Sequence, residues 1–281
     1  MLLVTGATGN VGRELVGQLD AQGAEVRVLV RDPARAEGLP ARIDRIVGDL
    51  DRAETLPPAF AGVDGFFLLT PGIGLDGARN ALAAARDAGV RRVVQLSSTN
   101  VLGDPMPAMG RWHHDREELV RASGLAATVL RPGGFMTNAL DWLPTIRAGG
   151  YVLDPAGPGR HAPIDPADIA AVAALALTGD GHAGRTYALT GAETFTVTEQ
   201  VAVLARTLGR QLTVRPVATP EEAVRFRFPH GAPPALADAV VEGFALMRAD
   251  TVGFRTGEVR RLLGREPATF ADWCARNAHR F

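Results

Sequence analysis

Apolar and polar positions alternate along the chain with two periods. Leu2, Leu3 and Val4 form a continuous apolar run suited to a buried parallel strand, and Val11, Leu15, Val16 and Leu19 then recur on one helix face. Glu25 to Val30 supplies a second strand, ended by Arg31-Asp32-Pro33. Further runs at Arg45 to Val47, Gly65 to Leu69 and Val93 to Leu96 are separated by Ala-rich helical stretches such as Gly77 to Ala88. A helix over Trp112 to Ser123 stops at Gly124, and the strand Ala127 to Leu130 is broken by Arg131-Pro-Gly-Gly134. A helix over Ile164 to Leu177, entered through Asp165-Pro166, and a strand over Arg185 to Leu189 follow. This alternation predicts an α/β fold with a doubly wound parallel sheet. From Gly191 the character changes to a helix over Thr198 to Leu208, a strand over Leu212 to Arg215 and several C-terminal helices. The expected organisation is a core over 1–150, joined by about 164–190, and a smaller, mainly helical part over 191–281 that shapes a substrate site. His230 to Pro234 reads as a connector.

In an open parallel sheet, ligands sit beyond the carboxyl ends of the strands. The first strand runs directly into Gly6-x-x-Gly9-x-x-Gly12, where the first helix begins. Such a turn lets backbone amides and the positive helix end approach a pyrophosphate, while the third glycine permits close helix-on-sheet packing. With 32 glycines in the chain, spacing alone says little. Placement between a strand end and a helix start makes this a Rossmann-type dinucleotide grip, with Gly6, Thr8, Gly9, Asn10, Val11 and Gly12 as its candidates. The other strand ends bring up Asp49-Leu50, Leu69-Thr70-Pro71, Ser97-Ser98-Thr99 and Pro132 to Phe135.

Arg31 follows the second strand, where an acidic residue would take the adenosine 2′-hydroxyl. An arginine there favours a 2′-phosphate, so NADP(H) is preferred to NAD(H), and Arg35 could add a second contact. If the strand runs one residue further, Asp32 would take the ribose and the preference would reverse.

Composition narrows the chemistry. The net charge of −1 over 281 residues argues against a nucleic-acid partner. All 30 basic residues counted as Lys or Arg are Arg, which excludes any step needing a lysine amine. A single cysteine, Cys274, excludes an intramolecular disulfide and a multi-cysteine metal site. A first strand beginning at residue 2 leaves no room for a secretory signal, and the longest apolar stretch, Ile169 to Leu177, is too short to span a bilayer. A cytoplasmic protein without a membrane partner is expected. His113-His114-Asp115 with Glu117 and Glu118 is read as an exposed helix pattern, so no metal is expected.

With these residues in place, the chain resembles the atypical short-chain dehydrogenase/reductase superfamily, in particular NmrA-like and quinone-oxidoreductase-like NAD(P)H-binding proteins. The resemblance rests on Thr5-Gly-Ala-Thr-Gly-Asn-Val-Gly12, Val30-Arg-Asp-Pro33, Gly48-Asp-Leu50, Ser97-Ser98, Ser123-Gly-Leu125, Leu130-Arg-Pro-Gly-Gly-Phe-Met-Thr-Asn138, Leu189-Thr-Gly191 and Gly264 to Trp273. It implies that Asp49 and Leu50 flank the adenine, that Leu69, Thr70 and Pro71 line the middle of the cofactor, and that Pro132, Gly133 and Phe135 reach the nicotinamide end. Ser97 is included among the cofactor contacts.

The departure concerns catalysis. Ordinary members carry Tyr-x-x-x-Lys on the helix near Trp112. Aligned on Glu117 and Ser123-Gly-Leu125, this chain has Met109 and His113 at those positions, and Pro105, Pro107 and Gly110 make the preceding stretch a loop. Without that dyad, reduction of an isolated ketone lacks its acid, whereas a quinone spreads the new charge over a ring. Hydride transfer to a quinone or conjugated carbonyl is the leading expectation, with a small aromatic or conjugated molecule as substrate. His113 is the candidate proton donor, since an unperturbed imidazole titrates near 6.5; the alternative is a ribose contact without proton transfer. Ser98 is the second catalytic candidate, and a strand-end cap is its competing role. Phe135, Met136 and Trp142 could wall an aromatic acceptor, as could Phe226, Phe228 and Phe244. A non-catalytic dinucleotide sensor, or a reductase of an imine or biosynthetic intermediate, stays open beside the leading reading. A homodimer is allowed for.

Overall fold

In the computed structural model, which describes every residue except Pro229 and the side chain of Phe226, the strands and helices alternate from the first residues onward. Phe226 as a wall residue therefore lies outside the described residues. In order the elements are β1 (Leu2–Thr5), α1 (Asn10–Ala21), β2 (Val26–Val30), β3 (Asp44–Val47), α2 (Pro57–Phe60), β4 (Gly65–Leu68), α3 (Asp76–Asp87), β5 (Arg92–Leu96), α4 (Ala108–Arg121) and β6 (Ala126–Pro132). They continue as α5 (Leu143–Gly149), β7 (Tyr151–Asp154), α6 (Pro166–Thr178), β8 (Thr186–Leu189), α7 (Val197–Leu208), β9 (Thr213–Pro216), α8 (Pro220–Arg227), α9 (Pro234–Arg248), α10 (Glu258–Leu263) and α11 (Phe270–Asn277).

The central sheet has the order β3-β2-β1-β4-β5-β6-β8 and is parallel, so the α/β Rossmann-type expectation holds. All four residues of β4 are buried, as a strand covered on both faces requires. One face packs Leu3, Leu29, Phe60, Phe66, Leu82, Val93 and Val120 into a single cluster. On α1, Val11, Leu15, Val16 and Leu19 are buried as the periodicity predicts. α1 packs against α6, whose small residues Ala170, Ala173, Ala174 and Ala176 are buried. The direction of winding reverses between β1 and β4, which makes their carboxyl ends the switch point.

The chain divides into two compact units, Met1–Leu102 with Gly110–Pro132 and Pro166–Ala188, and Gly103–Met109 with Gly133–Asp165 and Leu189–Phe281. Residues 133–150, which the sequence reading joined to the core, thus cluster with the second unit. β6 ends at Pro132, after which Gly133 N donates to Leu189 O and Phe135 bridges Ile164. Met136, Ile146 and Val152 then pack with Val201, Leu204, Phe270 and Trp273. β7 pairs in parallel with β9, and capping boxes at Thr196/Glu199 and Thr269/Asp272 start α7 and α11. Among the described residues no helix is long and apolar enough to cross a membrane.

Candidate cofactor site at the carboxyl ends of the strands

Thr5 closes the switch point. Its hydroxyl accepts from Leu69 N at 2.8 Å and lies within donating distance of Phe67 O and Leu69 O, joining the ends of β1 and β4. Gly6 follows in the left-handed region (φ +65°), which L side chains rarely adopt. A Cβ on Gly12 would lie 2.1 Å from Gly6 O, so the start of α1 can approach the turn only as glycine. Gly9 is different. Its φ of −85° needs no glycine, and a Cβ would meet only Gly6 O at 3.3 Å. The space above Gly9 is not used by the fold.

Gly9 caps α1 without a side-chain hydrogen bond, and the first turn holds no acidic residue. The positive end of a twelve-residue helix is left uncompensated beside Thr8, Asn10 and that space. This arrangement fits a pyrophosphate.

Arg31 is exposed directly after β2. Asp32, the competing residue, accepts from Ala34 N at 3.0 Å and caps the turn of 3-10 helix that follows. Its carboxylate is thereby engaged locally. Arg13, not singled out by the sequence reading, reaches the same segment, with Nη2 3.5 Å from Arg35 O. The signal was available as a basic residue directly after Gly12, but the packing that brings it to Arg35 was not. At the end of β3, Asp49 Oδ1 accepts from Asp51 N while Leu50 joins the hydrophobic core. Thr70 is half-buried and Pro71 exposed after β4.

The residues after β5 and on α4 are arranged otherwise. Glu117 is fully buried, and its carboxylate accepts from Ser97 Oγ, from Arg131 Nε at 2.8 Å and Nη2 at 2.6 Å, and from Arg121 Nη2 at 2.7 Å. Burial disfavours its charge, but the hydrogen bonds from Arg131 and Ser97 outweigh that and hold its pKa below the usual carboxylate range. The Ser97 proton is consumed in this cluster, so its hydroxyl serves the fold. Ser98 Oγ accepts from Asn100 N at 3.2 Å as a strand-end cap, which leaves its O–H able to donate.

α4 begins at Ala108, so the expectation of a loop through Gly110 is corrected: Met109 and Gly110 are helical. Glu242 supplies the cap from far along the chain, its carboxylate accepting from Ala108 N at 2.7 Å. His113 is half-buried, with Nδ1 buried and unpartnered. Burial, reinforced by the charge of Arg116 and only partly opposed by Glu117, pushes its pKa down to about 4. At pH 7 this holds the imidazole neutral, which favours the ribose contact over the imidazolium donor. It can still hydrogen-bond a sugar hydroxyl, and an orphaned buried nitrogen fits such a partner.

Pro132 ends β6 and is buried, while Gly133 and Phe135 lie in the second unit. Met136 is 1% exposed within that unit's core and Trp142 packs against it, so neither serves as an open wall. Phe228 and Phe244 are half-buried.

The sequence profile described as NAD(P)H-binding matches residues 6–180. The chain belongs to this NAD(P)H-binding family. Among relatives, a (4-alkanoyl-5-oxo-2,5-dihydrofuran-3-yl)methyl phosphate reductase of Streptomyces griseus is 39% identical, covering 100% of this chain and 99% of its own. An NAD(P)H azoreductase of Xenophilus azovorans is 37% identical with coverage of 100% and 99%. The solved structure of an NADPH-dependent quinone oxidoreductase of Escherichia coli, complexed with NADPH, superposes with a TM-score of 0.84 at 27% identity, over 98% of this chain and 99% of that one. These findings agree with the resemblance drawn from the motifs, and NAD(P)H is the cofactor of the family site.

Proposed function

We propose that this NAD(P)H-dependent oxidoreductase transfers hydride to a quinone or similarly conjugated small molecule. The observation that carries the reading is the contrast between an open dinucleotide grip and a neighbouring helix that carries Met109 and His113 where a Tyr-x-x-x-Lys dyad would stand. NAD(P)H, when bound, supplies the hydride. The chain's own part is to hold and orient it: Gly6 to Gly12 and the start of α1 on the pyrophosphate, Asp49 and Leu50 towards the adenine, Leu69 to Pro71 along the middle, and His113 on the ribose. The position where a tyrosine acid would stand is Met109, and His113 is neutral. An acceptor whose reduced oxygen is delocalised needs only a weak donor, and orientation against the nicotinamide supplies much of the acceleration. The Ser98 hydroxyl or solvent fills the donor's role. Reductases of quinone, azo and unsaturated lactone compounds among the relatives support conjugated acceptors.

NADP(H) is preferred to NAD(H) in this reading, because Arg31 follows β2, Asp32 is engaged in its cap, and Arg13 and Arg35 add positive charge nearby. The test follows NADPH and NADH oxidation with a panel of quinones, azo dyes and conjugated ketones. Consumption with quinones and none with isolated ketones is expected. Tight cofactor binding without turnover of any acceptor overturns the enzyme reading in favour of a sensor. Arg31→Ala should raise the KM for NADPH about 10-fold, the worth of one charge-assisted hydrogen bond, and leave that for NADH unchanged.

A further inference from the structure

One buried arginine is not used by this reading. Arg116 lies on α4 one turn after His113 and is only 4% exposed. Its Nε donates to Gly74 O at 3.2 Å, and its Nη2 to Gly72 O at 2.5 Å and Gly74 O at 3.1 Å. Among the described residues no carboxylate pairs with it. A buried cation facing only carbonyl dipoles is costly, and such a cost persists where the geometry it enforces matters.

What it enforces is the turn after β4. Gly72 takes a left-handed φ of +73°, and both carbonyls flanking Ile73 are drawn to one guanidinium. Ile73 itself is left 39% exposed, one of few large aliphatic side chains so presented. The turn follows Leu69-Thr70-Pro71 at the switch point, and its anchor shares a helix face with His113. An aliphatic group held out at a cofactor rim is suited to cover an apolar ring.

We propose that Arg116 is a positioning residue which, by clamping the carbonyls on either side of Ile73, fixes that side chain as an apolar contact for the hydride acceptor. The acceptor's role rests on the reductase reading above; the clamp does not. Two carbonyls met by adjacent nitrogens of a planar fork suit Arg and not Lys.

The test uses the full chain with Arg116→Met, Arg116→Lys and Ile73→Ala, measuring cofactor Kd, KM and kcat for quinones of increasing apolar bulk, and amide hydrogen exchange over 70–75. Ile73→Ala should raise the KM for bulky quinones about 10-fold, as loss of a buried aliphatic contact does, with kcat and cofactor Kd within about 2-fold. Arg116→Met should accelerate exchange in the turn and lower kcat/KM at least as much, and Arg116→Lys should recover little of either. Unchanged KM for every quinone in Ile73→Ala overturns the acceptor contact, and unchanged exchange in folded Arg116→Met overturns the clamp. A wild-type protein that reduces no acceptor overturns the reductase reading and the acceptor contact together, while the exchange measurement still decides the clamp.

Discussion

The amino end of α1 and the middle of α4 belong to the same unit and carry opposite kinds of polar chemistry. At α1 the backbone donors, the helix end and the space above Gly9 are left open by omission: no side-chain cap, no first-turn acid, no Cβ. On α4 the strongest polar groups are spent. Glu117 is saturated by Ser97, Arg121 and Arg131, Arg116 by two carbonyls, and His113 is held neutral. The difference teaches that the dinucleotide grip is built here from unfilled backbone, while the buried charged side chains of α4 are committed to partners within the fold. The proposed quinone reading matches such a site, because its chemistry is easy in its proton demand.

The largest expected effect breaks the α4 side. Glu117→Gln places an amide donor against arginine donors and leaves Arg131 without its counter-charge, so unfolding free energy in urea should fall by about 3–5 kcal/mol. Because the folded pKa of Glu117 lies below its unfolded value, its stabilisation is present above about 4.5 and is lost as pH falls through the folded pKa. A loss under 1 kcal/mol would show that the cluster is not a structural keystone.

The glycine turn should divide under substitution. Gly12→Ala forces a Cβ against Gly6 O and should cost about 1–3 kcal/mol of stability as well as cofactor affinity. Gly9→Ala should leave the urea midpoint nearly unchanged and weaken NADPH binding about 10-fold in a fluorescence titration. Equal effects of both on stability would remove the distinction between a glycine kept for packing and one kept for a ligand.

The smallest effect on cofactor binding concerns His113. Its folded pKa of about 4 lies below the unfolded value near 6.5, so the unfolded chain binds the extra proton, and stability falls as pH drops from about 6.5 towards 4. His113→Asn should flatten that part of the stability curve, raise the KM for NADPH a few-fold, and leave kcat without a new inflection between pH 6 and 9. A wild-type inflection near 6.5 that vanishes in the variant would restore the acid role.

The strand-helix alternation, the glycine turn and the strand-end residues were legible because each depends on neighbours within a few positions. β7 was not, since its four residues pair with Thr213 to Pro216 far along the chain. The clustering of residues 133–150 with the second unit was not legible for the same reason: the bridge from Phe135 to Ile164 and the packing of Met136 with Phe270 and Trp273 have no local trace. The start of α4 depends on Glu242, which no window around Pro107 contains.

By itself the sequence determined the parallel sheet, the dinucleotide turn and the absence of a Tyr-x-x-x-Lys dyad, because periodicity, backbone freedom and residue identity are local properties. Tertiary structure alone decided that Ser97 serves Glu117 and that His113 is neutral. Protonation and hydrogen-bond commitment are set by burial and by partners brought from distant segments, and neither is written in the order of the residues.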